Sequence, residues 1–143
     1  MWGILLALLS GALMSVQGVF NTEATKQSSI WVTAGFVQIT AFLVCVIAWY
    51  VTGRENVGDL LQVQPRYLLL GGVIGAFITI TVVKATGSLG PAQAAMIIVV
   101  SQIIVSYLIE LFGLFGVEKT GFDWKKAVGA ALAIGGILLF KWE

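Results

Sequence analysis

Glu110 is the one carboxylate that the sequence sets inside an apolar run, with Leu111–Val117 beyond it; the other acids fall at polar joints or the chain end. An ionisable group at membrane depth is costly unless it is paired or faces water, which marks it as a candidate for proton or ion exchange. Gln102, Ser106 and Glu110 stand at i, i+4 and i+8, so a helix carries them on one face. At about 1.5 Å per residue from Pro91, Gln102 falls near the bilayer middle. Ser10, Met14, Gln17 and Asn21 form a second such face at i, i+4, i+7 and i+11. The expected chemistry is small-molecule binding by Gln17, Asn21, Gln102 and Ser106, with Glu110 exchanging a proton for substrate. The bland alternative is that these groups only bond neighbouring helices, each bond worth roughly 0.6–2 kcal/mol. Gln38 and Thr33 are lesser candidates, and Lys84 reads as a side chain reaching the headgroups.

The elements that must position these residues are five apolar stretches: Met1–Phe20, Ile30–Thr52, Tyr67–Val83, Pro91–Val117 and Trp124–Phe140. About 17 to 25 mainly apolar residues are needed to span the hydrocarbon as a helix. Charged residues make up 10% of the chain and hydrophobic ones 59%, against about 25% charged in a soluble domain. The expected fold is an all-α integral membrane protein with five transmembrane helices, a single transmembrane domain over residues 1–143. The first stretch lacks a basic leader and reads as a retained helix, not a cleaved signal. Pro91 suits the first turn of its helix, where a missing N–H costs nothing. Tryptophans 2, 31, 49, 124 and 142 lie near span ends, as interfacial anchors do. Val57, Leu60 and Leu61 allow a short interfacial helix within Gly53–Arg66.

Several function classes drop out. The chain has no histidine, hence neither the commonest metal ligand nor the commonest general base. No nucleophile–base pair, metal cluster or nucleotide motif can be assembled, so no enzyme activity, cofactor or metal is expected. A net charge of +1 offers no case for nucleic acid. Cys45 reads as a small buried hydrophobe.

Small residues form two stripes. Gly71, Gly75 and Thr79 lie four apart on the third helix, and Gly129, Ala133 and Gly136 line one side of the last. Such spacing lets backbones approach where no hydrophobic effect drives association. With a cytoplasmic N-terminus, Arg54, Arg66, Lys119, Lys125 and Lys126 lie inside, and Lys26, Lys84 and Lys141 outside. Five against three is a weak bias under the positive-inside rule. A chain with this balance and an odd span count can insert both ways, so the expected partner is a second copy of itself, paired antiparallel.

The segments LLSGALMSVQGVFN, GGVIGAFIT followed by LGPAQA, SQIIVSYLIELFGLFG and VGAALAIGGILLF together resemble the YdcZ-type family of the drug/metabolite transporter superfamily. The likeness covers essentially the whole chain and is most specific around Gln102, Glu110, Gly113 and Gly116. The family usually has aspartate where Glu110 stands. The closing pattern Gly129, Leu132, Gly136 and Ile137 is similar to the last helix of small multidrug resistance transporters and of ten-span, EamA-like relatives. The resemblance implies a multi-pass exporter in the bacterial inner membrane, built as half of an inverted-repeat ten-span fold and working by alternating access. Small multidrug resistance proteins couple transport through a first-helix glutamate, and here that helix carries only Gln17 and Asn21. The second reading is a non-transporting membrane subunit that pairs with a sister chain or regulates a larger complex.

Overall fold

A computed structural model describes residues 1–140; Lys141 and Trp142, read above as a flanking charge and an anchor, lie outside the described residues. The described residues are helical, with no strand: α1 (Trp2–Gln27), α2 (Ile30–Thr52), α3 (Gly58–Leu61), α4 (Gly71–Leu89), α5 (Pro91–Phe112) and α6 (Trp124–Phe140), with 3-10 turns at Arg66–Leu70 and Leu114–Gly116. Among the described residues, four helical segments are long and apolar enough to cross a membrane: Trp2–Gln27, Ile30–Thr52, Arg66–Leu89 and Pro91–Phe112. The fifth expected span, α6, is a helix of 17 residues, at the short end of what a bilayer requires.

Burial matches a lipid solvent. Among the described residues only Ala34, Val83 and Ala94 are buried hydrophobics, whereas Leu5, Leu8, Phe20, Phe36, Phe42 and Ile47 are all exposed. In water such faces would be sticky patches, and in a bilayer they are the solvated surface. Cys45 sits on one of them, exposed, which corrects the expectation that it is buried. Trp2, Trp31, Trp49 and Trp124 stand within the first or last turn of their helices, as expected for anchors.

The chain divides into two compact units. In the first, residues 1–87, α1 outruns its apolar stretch and continues from Phe20 to Gln27. Four of the polar side chains there are satisfied within the helix. Thr22 and Thr25 hydroxyls donate to the Gly18 and Asn21 carbonyls, each at 2.7 Å, and Lys26 pairs with Glu23 one turn back at 2.6 Å. The Ser29 hydroxyl then accepts from the Val32 N–H at 3.3 Å and caps α2. Helix α4 returns to α1 at a close crossing. A Cβ on Gly18 would lie 3.4 Å from Val82 Cγ1, and one on Gly87 would lie 3.7 Å from Thr22 Cγ2. Thr22, Val83 and Thr86 are buried there. Of the stripe expected on α4, Gly75 meets Gln38 of α2, while nothing lies within 4 Å of a Cβ placed on Gly71. Helix α4 also continues past Val83, so Lys84 sits within the helix and not at its end.

The joint after α2 is braced. The Trp49 indole donates to the Glu55 carbonyl at 2.9 Å, and the Arg54 guanidinium lies 4.0 Å over the Tyr50 ring. Asn56 Oδ1 accepts from the Gly58 N–H at 3.0 Å, just ahead of the short helix expected around Leu60 and Leu61.

In the second unit, from Ser88 onward, Pro91 opens α5 as anticipated. The helix stops at Phe112, not Val117, and the reason is local. Gly113 is left-handed (φ 65, ψ 40), and its N–H closes on the Ile109 carbonyl. A side chain there would meet Lys119 Cβ at 3.1 Å. Asp123 Oδ1 accepts from the Lys125 N–H at 2.9 Å and caps α6, which packs back on α5.

Candidate functional site

Because α5 repeats about every 3.6 residues, Val99, Gln102, Ile103, Ser106, Tyr107 and Glu110 fall along one strip of its surface. Together with Lys126 of α6 they line a groove of about 410 Å³, within the range of small-molecule sites. Six of the seven lining residues belong to α5. The strip is graded: Val99 and Ile103 are aliphatic, Gln102 and Ser106 add an amide and a hydroxyl, and the far end carries a phenol and an ion pair.

That ion pair is the main addition to the sequence-based expectation. Lys126 Nζ lies 2.6 Å from Glu110 Oε2, with the two side chains 47% and 41% exposed. The same ammonium stands 5.7 Å from the centre of the Tyr107 ring, inside cation–π range. Glu110 is therefore a paired carboxylate in the last turn of α5, not a lone one within a longer helix.

The connector after α5 closes on the Glu110 backbone as well. Ending at Phe112 leaves the last carbonyls of α5 without helical partners, and the Thr120 N–H takes the Glu110 carbonyl at 2.9 Å. The Tyr107 hydroxyl accepts from the Asp123 N–H at 2.9 Å and donates to the Asp123 carbonyl at 3.2 Å. This clasp fixes the start of α6, and with it the arm that presents Lys126.

The structure thus brings Gln102, Ser106 and Glu110 into one groove. Gln17, exposed, and Asn21, half-buried, lie on α1 in the first unit. Gly129 and Gly136 on α6 have nothing within 4 Å of a Cβ position, and Ala133 is half-buried. Lys126, Tyr107 and Asp123 were missed as site residues. Lys126 reads as an ordinary joint charge, and the available signal was the glycine pair at 113 and 116, which lets the chain double back.

The family model described as "Putative inner membrane exporter, YdcZ" matches residues 2–139. The chain belongs to the YdcZ family. No curated protein and no solved structure matches it. The family match runs from α1 to the end of α6, so it takes in both units and the groove. Its description is that of an inner membrane exporter, and it agrees with the apolar helices.

Proposed function

We propose that the chain is a small-molecule secondary transporter of the bacterial inner membrane, exporting a drug or metabolite as an antiparallel homodimer. The observation that carries this is the groove of Gln102, Ser106 and Glu110 on the mainly apolar α5, met by Lys126 of α6, in a chain of a family described as exporters. Taking α6 as the fifth span, one copy forms a single transmembrane domain, and two inverted copies give ten. Inverted repeats of this kind support rocking about a midplane site. The five-to-three charge balance supports insertion both ways. The small residues left uncovered, Gly71 on α4 and Gly129 and Gly136 on α6, supply faces for the second copy, with Ala133 in the same α6 stripe.

In this scheme Gln102 and Ser106 hold substrate, Gln17 and Asn21 are the polar substrate face of α1, and Glu110 couples flux to protons. Purified protein in liposomes, loaded with a panel of metabolites and drugs under an imposed proton gradient, tests it. Gradient-dependent efflux of at least one compound is expected. A panel that moves no faster than through protein-free liposomes defeats the proposal. Sidedness is tested separately with single-cysteine variants at Lys26 and Lys119 in a Cys45→Ser background. Each position should be labelled from both faces of the membrane, and strictly one-sided labelling excludes the antiparallel pair.

A further inference from the structure

We propose that the groove takes an organic ammonium ion with an apolar body, and that Lys126 is a built-in competitor for its place on Glu110. The inference rests on the transport reading for its purpose, but the binding site itself does not depend on it. The chain's own ammonium already occupies the position, 2.6 Å from Glu110 Oε2 and 5.7 Å from the centre of the Tyr107 ring. An incoming ammonium would find the same carboxylate and ring face. The Ser106 hydroxyl, one helical turn back along the strip, is an acceptor for one of its remaining N–H groups, and the Gln102 amide, a further turn back, faces the body of the molecule. Val99 and Ile103 offer an aliphatic wall to the rest of the molecule.

The two members of the pair are not equivalent, and that decides the sign of the ligand. Glu110 is fixed on the groove-lining helix near the Gly113 stop, and its backbone carbonyl is held by Thr120. Lys126 reaches in from α6 on a four-carbon arm that is nearly half exposed. A cation can displace the lysine, which swings to water while the carboxylate keeps a partner. An anion paired with Lys126 would leave Glu110 bare beside it, a like-charge contact. A tethered competitor also lowers apparent affinity by the fraction of time it holds the site, and its return pushes the ligand out.

The test is equilibrium binding to purified, detergent-solubilised protein by calorimetry, with phenethylammonium as probe. Phenethyl alcohol serves as the neutral control and 3-phenylpropionate as the anionic one. Wild type should bind the ammonium in preference to both controls. Lys126→Met removes the competitor and should tighten ammonium binding about fivefold or more. Lys126→Arg retains a cation and should stay near wild type, which separates competition from a general loosening of α6. Glu110→Gln should abolish binding in either background, with helical circular dichroism confirming that the variants fold. Weaker or unchanged ammonium binding in Lys126→Met overturns the proposal. So does selective binding of 3-phenylpropionate that is lost in Lys126→Met. Because binding is read without a membrane gradient, absence of flux with this binding intact breaks the transport reading alone. Flux of other compounds without ammonium binding breaks the site alone.

Discussion

The crossing of α1 with α4 and the seam of α5 with α6 solve the same problem in opposite ways. In the first, Gly18 and Thr22 meet Val82, Thr86 and Gly87, and the Thr22 hydroxyl is satisfied by its own helix at the Gly18 carbonyl. In the second, the polar groups are satisfied across the seam: Tyr107 to Asp123, Thr120 to Glu110, and Lys126 to Glu110. A hydroxyl that donates within its own helix permits close backbone packing at the crossing. Bonds from α5 to its connector and to α6 hold polar groups at an accessible surface, with the Lys126–Glu110 pair partly exposed. In the proposed scheme the α1–α4 crossing serves to hold its unit together, and the α5–α6 seam carries the exchangeable ion pair.

Four substitutions break or sharpen that division. The largest effect is expected from Glu110→Gln. It nearly preserves size and hydrogen bonding, so the melting temperature in detergent should stay close to wild type. Proton-driven flux in liposomes should fall on the order of a hundredfold, about 2.7 kcal/mol of coupling. Normal flux over a pH series would make the carboxylate structural. Gly18→Leu should do the reverse. It overpacks a crossing where even a Cβ comes to 3.4 Å of Val82, costing about 1–3 kcal/mol in thermal denaturation. Groove binding in the surviving folded fraction should be retained. If the loss of stability is negligible, the close crossing is not a stabilising one.

Tyr107→Phe comes next. It removes both bonds to Asp123, worth about 1–2 kcal/mol together, and loosens the arm that carries Lys126. Stability should fall and probe binding should change, the mark of a positioning residue. Stability loss with binding untouched would confine the clasp to packing. Ser29→Ala should be the smallest. The cap bond is long at 3.3 Å, so a loss of about 0.5–1 kcal/mol and no change in flux are expected. A flux defect would draw α2 into the working part of the molecule.

What could be read before the structure was periodic. The apolar runs located the helices, Pro91 began α5, and the i, i+4, i+8 spacing placed Gln102, Ser106 and Glu110 in one groove. Helix ends were less legible because lipid and helix have different limits. Thr22 and Thr25 let α1 run into polar sequence, while Gly113 halts α5 inside an apolar one. Lys126 was invisible as a partner because its position depends on how an eleven-residue connector, 113–123, folds back. Gly18 and Thr22 escaped notice among many small residues at similar spacing, which only tertiary contact can rank.

The Tyr107–Asp123 clasp has one more consequence, which concerns phase. Asp123 is pinned to α5 by two bonds to one hydroxyl, so the rotation of α6 is counted from there. Lys126 faces Glu110 because it is three residues on. One alanine inserted between Asp123 and Lys126 would turn the lysine by about 100° and aim it away from the carboxylate, with every side chain of the groove still present. Spacing, and not only residue identity, therefore encodes the ion pair.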